Sequence, residues 1–290
     1  MKIYLNGEFV EKADAKISVF DHGLLYGDGV FEGIRLYDGC VYKLDDHLER
    51  LEFSAKAILL DLPMERGEFA QAVCDTCREN GLTNGYIRLV VTRGAGHLGL
   101  SPDGCGPPSV IIIADEIQLY PEELYENGLK IISVPTRRIN ASALPPAVKS
   151  LNYLNNILAK IEANHAGADA ALMLDNQGFL AELNGTNIFL VKDNRIRTPL
   201  PHACLPGITR NLVLQLCKIN EIAYTEENIS LSEAYNADIV FATGTMGELT
   251  PITEIDGRKI LNNNTTYLFD EICNLFDNCK SENCTPISKL

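Results

Sequence analysis

The chain has 290 residues, 46% of them hydrophobic and 22% charged, with a formal net charge of −14. This composition is globular and excludes disorder, a collagen-like repeat or a coiled coil as the main state, and no apolar run approaches the ~18 residues that a membrane helix needs. A chain this acidic, with no basic block, repels nucleic acid and anionic lipid surfaces. The opening ten residues carry no apolar stretch of the secretory kind, so the nine cysteines are expected as reduced thiols in the cytosol, at least one of them unpaired.

Asn6-Gly7 between residues 2–5 and 8–10 predicts a hairpin, because the dipeptide suits a type I′ turn. Residues 30–37 and 40–44 around Asp38-Gly39 predict a second one. Asp45 is placed as the N-cap of a helix whose Leu48, Leu51, Ala55, Ile58 and Leu62 keep helical spacing. A helix over 68–80 closes on Gly81, and strands follow at 86–92 and 109–114. This alternation predicts a small α+β domain over 1–118, then a linker over 119–130 whose Pro121 opens a short helix. Beyond it, a strand at 129–134 precedes an amphipathic helix over 152–164, with Leu154, Ile157, Leu158 and Ile161 expected inward. Short strands at 170–174, 178–183, 187–191, 196–198, 238–242 and 250–255, with helices at 209–220 and 265–277, predict a larger strand-rich domain over 131–277. Residues 278–290 read as a mobile tail.

Two motifs are set aside on physical grounds. Cys74-Asp75-Thr76-Cys77 is a lone CxxC with no second cysteine pair or histidine cluster to complete a zinc site. It is expected as two small residues on one helix face. Gly94-Ala95-Gly96-His97-Leu98-Gly99 matches GxGxxG, and Asp115 follows at the end of another strand. A dinucleotide fingerprint requires its glycines to open a helix. Pro102, Gly104, Gly106, Pro107 and Pro108 forbid one, so a Gly/Pro loop is expected.

The second half carries a more coherent set. Leu205-Pro206-Gly207-Ile208-Thr209-Arg210 leads a turn into a helix, and helix N-termini suit phosphate. Thr243-Gly244-Thr245 offers further N–H groups and two hydroxyls. Either alone is an ordinary capped turn; together they suggest a phosphate cradle. Glu182 lies in an apolar strand, where an acid must be paired, face a cavity or point to solvent from a polar face. Lys149 follows Pro145-Pro146 and precedes a helix, which presents it rigidly. It is read either as a nucleophilic amine or as a solvated surface lysine. An amine, a buried acid and a phosphate cradle together are what pyridoxal 5′-phosphate requires.

These residues resemble the class IV (fold-type IV) aminotransferases, and the branched-chain aminotransferases most closely. The resemblance covers about residues 1–260 and rests on ordered blocks. They are Asp21-His22-Gly23; Tyr26 through Phe31-Glu32-Gly33-Ile34-Arg35; His47-Leu48-Glu49-Arg50-Leu51; Tyr86-Ile87-Arg88; Leu144 through Lys149 to Asn152-Tyr153; Glu182; Leu205 through Arg210; and Thr243-Gly244-Thr245. It implies a two-domain α+β and α/β fold with a smaller N-terminal and a larger strand-rich C-terminal domain. It also implies pyridoxal 5′-phosphate as cofactor and transamination between leucine, isoleucine or valine and 2-oxoglutarate.

On this resemblance, Lys149 is the catalytic residue, joined to the cofactor and moving a proton between the substrate α-carbon and cofactor C4′. Glu182 pairs with the pyridinium nitrogen. Arg50, Ile208, Thr209 and Thr245 hold the phosphate, with Gly207 and Gly244 in the same two turns. Tyr153 bonds the phenolic oxygen and Leu205 packs on the ring. Tyr86 and the Thr245-Met246 backbone take the substrate α-carboxylate; Tyr26, Phe31, Gly33 and Tyr120 line the side-chain pocket; Arg88 helps accept the distal carboxylate of glutamate. The loop carrying Leu98 and Leu100 reaches a partner subunit's site, which implies a homodimer. An apolar pocket discriminates by only ~1–3 kcal/mol per methylene, so glutamate's charge has to be met by a few rim donors. No metal, nucleic acid or membrane partner is implied.

Three positions depart from the branched-chain pattern. Leu89 stands where proline is frequent, Leu183-Asn184-Gly185-Thr186 where a small-residue run is common, and Met246 where alanine is frequent. The cofactor set is untouched. D-amino-acid transaminase and 4-amino-4-deoxychorismate lyase therefore stand as alternatives on the same scaffold, and a non-catalytic cofactor-binding protein as a third.

Overall fold

A computed structural model describes residues 1–116, 128–260 and 267–288. The chain divides into two units. Unit 1 is Met1–Gln118 with Val148–Asn152 and Lys280–Leu290; unit 2 is Leu119–Ala147 with Tyr153–Cys279. Tyr120, Pro121 and the short helix expected there lie outside the described residues.

Unit 1 opens with β1 (Lys2–Leu5) and β2 (Glu8–Glu11), joined through Asn6 and Gly7, both at positive φ. There follow α1 (His22–Tyr26), β3 (Gly29–Tyr37), β4 (Cys40–Tyr42), α2 (Leu44–Ala57), α3 (Arg66–Glu79), β5 (Gly85–Thr92) and β6 (Ser109–Asp115). The strands form one antiparallel sheet in the order β4-β3-β5-β6-β1-β2. Val30, Ile34 and Leu36 of β3 and Ile87, Leu89 and Val91 of β5 belong to one core with Leu48 and Leu51 of α2 and Phe69 and Val73 of α3. Period-2 strands thus meet period-3.6 helices over one apolar layer. The N-cap of α2 is Lys43 at φ 52°, not Asp45. Asp45 sits in the first turn, where an acid suits the helix dipole. Cys74 and Cys77 are both buried on α3 as small core residues, and burial pushes their thiols up to about 11 and about 12. Residues 93–108 carry no helix after the glycine motif. Gly94 turns at φ 90°, where an added β-carbon would lie 2.2 Å from the Pro107 carbonyl oxygen.

Unit 2 contains β7 (Leu129–Ser133), α4 (Leu154–His165), β8 (Ala170–Leu174), β9 (Leu180–Leu183), β10 (Asn187–Lys192), β11 (Arg195–Pro199) and α5 (Ile208–Ile219). It continues with β12 (Tyr224–Glu227), α6 (Leu231–Tyr235), β13 (Ile239–Gly244), β14 (Glu248–Ile255), β15 (Arg258–Lys259) and α7 (Tyr267–Cys279). The sheet runs β12-β11-β10-β13-β14-β7-β8-β9, with β15 on β14, and is parallel at β11/β12, β14/β7 and β7/β8. Strand β12 and helix α6 carry no apolar pattern strong enough to read in sequence; α6 is set by a Ser230/Glu233 capping box.

Helix α4 reverses an expectation. Leu154, Ile157, Leu158 and Ile161 face outward, 66%, 53%, 46% and 42% exposed. Ala159 and Ala163 face inward, against Ala171 and Met173 of β8. Small side chains let the helix sit close on the strand, which leaves the bulky stripe without a place in this core.

The tail is also ordered. Strand β16 (Cys284–Pro286) pairs antiparallel with β4, and Ile287 N donates to Gly39 O at 3.0 Å. A disulfide joins Cys40 to Cys284 with 5.4 Å between their α-carbons, so these two cysteines are not the reduced thiols expected. The expected mobile tail is replaced because backbone pairing and a covalent link both hold a segment too short and polar to signal a strand.

Candidate active site

In unit 1, the segment carrying Lys149 docks on β3 by backbone pairing. Strand β4 pairs only with Leu36–Tyr37 of β3, at its far end. At the near end Phe31 N donates to Lys149 O (3.0 Å), Leu151 N donates to Gly29 O (3.0 Å), and Ser150 bridges Val30. Lys149 N donates to Ser54 Oγ of α2 at 3.1 Å. The prolines before Lys149 are therefore only part of its presentation; the sheet edge and a buried serine do the rest.

The β3/β5 register pairs Gly33 with Arg88 and Arg35 with Tyr86. Phe31, Gly33, Tyr86 and Arg88 consequently share the sheet face opposite the helices. The Lys149 Nζ lies 4.6 Å from the Phe31 ring centroid, and the Arg88 guanidinium carbon lies 4.5 Å from it and 5.6 Å from the Tyr86 ring. Two cations thus gather on an apolar ring, an arrangement that attracts carboxylates. Gly33 makes room for Tyr86: an added β-carbon would fall 1.9 Å from the phenol oxygen. Burial raises the Tyr86 pKa, so its hydroxyl stays a donor. Tyr26 closes α1, its ring edge-on to His22 with centroids 4.9 Å apart.

On the opposite face of β3 stands Glu32, fully buried. It accepts Arg50 Nε and Nη2, each at 2.8 Å, and His47 Nδ1 at 2.7 Å. Burial pushes the Glu32 carboxyl up, but the Arg50 charge and fork, with the His47 hydrogen bond, outweigh it and hold the pKa down to about 2. Burial lowers the His47 pKa, against the pull of Glu32. Arg50, implied by resemblance as a phosphate ligand, is thus already oriented by a carboxylate. The sequence signal for this trio was an acid within an apolar strand and a His/Arg pair three residues apart on a helix.

In unit 2, Glu182 of β9 is 5% exposed and lies opposite Met173 of β8. It does not face solvent. Its Oε1 accepts Arg138 Nε at 2.5 Å and its Oε2 accepts Leu205 N at 3.3 Å. Arg138 is held in turn by Asn155 Oδ1 at 2.8 Å. Sequence reasoning missed Arg138 and Asn155, since no spacing rule links them to Glu182. Tyr153 is the N-cap of α4.

Leu205 is clamped at both ends, because its carbonyl accepts Asn187 Nδ2 at 2.9 Å. Asn187 also abuts Gly207, whose added β-carbon would lie 2.2 Å from Asn187 Oδ1, and pairs with Thr243 across β10/β13. It therefore brings the α5 N-terminus and the Thr243-Gly244-Thr245 turn together. Gly207 caps α5 with no side-chain hydrogen bond, and Thr209 follows in its first turn. The Thr243 Oγ1 is buried with no hydrogen-bond partner among the described residues. A helix N-terminus whose glycine cap has no side chain to bond its first N–H groups, beside an orphaned buried hydroxyl, is a donor set that fits a phosphate group. A buried acid held by an arginine, and a lysine amine against an aromatic ring, fit the rest of pyridoxal 5′-phosphate chemistry.

Of the departures, Leu183 is 1% exposed and packs in the unit 2 core, so it carries no weight for substrate choice. Met246 is 42% exposed in the turn before β14.

Residues 29–255 match the family model described as amino-transferase class IV. A relative from Methanocaldococcus jannaschii is 52% identical over 263 residues, covering 90% of each chain. The branched-chain-amino-acid aminotransferase of Pseudomonas aeruginosa is 41% identical over 264 residues, covering 89% of this chain and 86% of its own. The crystal structure of the T.th. branched-chain amino acid aminotransferase complexed with N-(5′-phosphopyridoxyl)-L-glutamate superposes with a TM-score of 0.90 at 34% identity, covering 99% of this chain and 98% of that one. The family model, the relatives and the fold agree, and the chain belongs to the class IV aminotransferases, with their fold-type IV architecture.

Proposed function

We propose that this protein is a pyridoxal 5′-phosphate-dependent aminotransferase that moves an amino group between leucine, isoleucine or valine and 2-oxoglutarate. The observation that carries the reading is the Lys149 amine against Phe31 with Arg88 on the same ring, in a chain 41% identical to a named branched-chain enzyme over most of its length. When bound, the cofactor supplies an electron sink for the α-carbon–hydrogen bond that breaks.

The chain's own residues do the remainder. The Lys149 Nζ is the covalent anchor and the proton carrier at the substrate α-carbon. Glu182, paired with Arg138, holds the ring-nitrogen proton. The α5 N-terminus at Ile208 and Thr209, the Gly244-Thr245 turn and Arg50 hold the phosphate; Tyr153 and Leu205 orient the ring. Phe31, Gly33 and Tyr26 offer apolar surface to a branched side chain. Tyr86, the Thr245-Met246 backbone and Arg88 meet the carboxylates.

The protein works as a cytoplasmic homodimer on this reading. The outward stripe Leu154, Ile157, Leu158 and Ile161 of α4 supports self-association, since such apolar patches on a soluble chain mark contact surfaces. Leu98 and Leu100, 76% and 84% exposed, support a loop that reaches a second copy.

The test is the absorbance spectrum of purified protein before and after L-leucine or D-alanine, with L-glutamate measured after adding 2-oxoglutarate. A visible chromophore that bleaches with L-leucine, with glutamate formed, is expected. Turnover of D-alanine alone would select the D-amino-acid enzyme, and a chromophore that no amino acid changes would select a non-catalytic binder.

A further inference from the structure

We propose that Glu32 and His47 are positioning residues that hold the Arg50 guanidinium in place for the cofactor phosphate and lock it to the backbone that carries Lys149. This rests on the reading of Arg50 as a phosphate ligand.

The row of β3 side chains facing the helices is Val30, Glu32, Ile34 and Leu36, and every member is 0% exposed. A carboxylate in such a row is costly to desolvate, and apolar replacements of buried ion pairs are often neutral or stabilising. The trio is therefore a poor way to build a core. What it provides, and an apolar side chain would not, is a fixed guanidinium.

The geometry suits that role. Both Glu32 oxygens are used: Arg50 Nε reaches Oε1, and Arg50 Nη2 and His47 Nδ1 both reach Oε2. A guanidinium has five N–H donors in a rigid plane, and this fork engages one edge of it. Because Glu32 is a carboxylate, the His47 Nδ1 must carry the proton, which fixes the ring as a donor to it. His47, Arg50 and Ser54 lie on successive turns of one face of α2, and Ser54 Oγ receives the Lys149 N–H. One helix face therefore sets both the phosphate ligand and the main chain of the anchor lysine. Side-chain freedom that Arg50 would lose on binding an anion is already lost, which favours affinity.

The experiment uses the full chain stripped of cofactor and titrated by absorbance with pyridoxal 5′-phosphate and, separately, with pyridoxal, which lacks the phosphate. Glu32→Asp keeps the charge but shortens the side chain; Glu32→Gln keeps the shape and removes the charge. Each is expected to weaken pyridoxal 5′-phosphate binding by about 10- to 100-fold, the range for a charge-assisted hydrogen bond to a phosphate. Pyridoxal binding should stay within about twofold, as no phosphate contact is then at stake. Adding Arg50→Met to either variant should cause no further loss of preference for the phosphate form. His47→Phe should lose about tenfold in that preference, and His47→Gln, whose amide can donate to Glu32, should recover most of it. If the Glu32 variants do not fold, the two His47 variants decide.

An unchanged preference for the phosphate form in the folded variants overturns the inference and leaves the role of Arg50 intact. A wild-type chain that does not distinguish the two aldehydes overturns the Arg50 reading, and this inference with it. Equal losses for both aldehydes would mark a merely structural trio and also overturn it.

Discussion

Glu182 and Arg138 place opposite charges 2.5 Å apart at 5% and 9% exposure. Removing one partner from such a pair strands the other, which costs about 3–5 kcal/mol, far more than the pair's net worth. Arg138→Met should therefore lower the denaturation midpoint sharply, and Glu182→Gln with Arg138→Met together should recover part of the loss. A melt of Arg138→Met indistinguishable from wild type would contradict the burial argument. The Glu32 trio makes a second, pH-resolved prediction. Glu32 is held down to about 2 in the fold against an ordinary 4.5. Its contribution is fully present above about 4.5 and is lost as the pH falls toward about 2, because the unfolded chain takes the proton first. The His47 pKa is lowered from 6.5, so the unfolded chain also binds that proton first and stability falls below about 6.5. The melting temperature should descend in two stages on acidification, and His47→Gln should flatten the upper one. An unaltered upper stage in that variant would exclude His47 as its source.

At the scale of elements, the α5 N-terminus depends on a glycine for reasons of space. Gly207→Ala would drive a β-carbon to 2.2 Å from Asn187 Oδ1, and Asn187 also holds the Leu205 carbonyl. The variant should fold but bind pyridoxal 5′-phosphate at least about tenfold more weakly, measured by absorbance titration, since the loss of one or two oriented N–H donors is at stake. Turn chemistry of this kind was legible in sequence. Asn6-Gly7, Asp38-Gly39 and Gly81 all adopt positive φ, and most helices and strands between such punctuation fall within a few residues of expectation, although α2 stops at Ala57, with Ile58 as its C-cap and Leu62 beyond it. Facing was less legible. The 3.6-residue period of α4 identifies an apolar stripe but not what covers it; Ala159 and Ala163 take the inner face because β8 lies close. Pairing across long sequence separations was not legible either. Arg138 meets Glu182 across 44 residues, and Lys149 meets β3 through backbone bonds that any side chain would allow. If the α4 stripe joins two copies, Ile157→Glu places a charge at the centre of an apolar contact. It should shift the protein toward monomer in light scattering while circular dichroism stays unchanged. A variant that retains the wild-type mass would move the contact elsewhere.

At the scale of the whole molecule, unit 1 is completed by two segments distant in sequence from its first strands, one from mid-chain and one from the C-terminal end. Residues 149–151 pair with β3, and Cys284–Pro286 pair with β4. Folding unit 1 thus requires contacts between sequence-distant segments, which costs loop-closure entropy and slows assembly. The Cys40–Cys284 bond spans a sequence separation of 244, and in the chain-entropy view a loop of that size gives an upper bound of about 5 kcal/mol of stabilisation through the unfolded state. The backbone contacts around it do not need the bond: Lys43 N donates to Asn283 O at 2.8 Å and Ile287 N to Gly39 O at 3.0 Å. Cys284→Ser should therefore leave the fold and the leucine reaction intact near room temperature, yet melt several degrees lower and expose the last strand to proteolysis. Reductant should reproduce the shift in wild type and add nothing in the variant. The remaining thiols sharpen the contrast, because burial pushes those of Cys74, Cys77, Cys204 and Cys217 up to about 11 or 12 and makes them slow to react in the folded state. Wild type whose melting temperature ignores reductant, while mass spectrometry finds Cys40 and Cys284 alkylated, would show that strand pairing alone holds the tail.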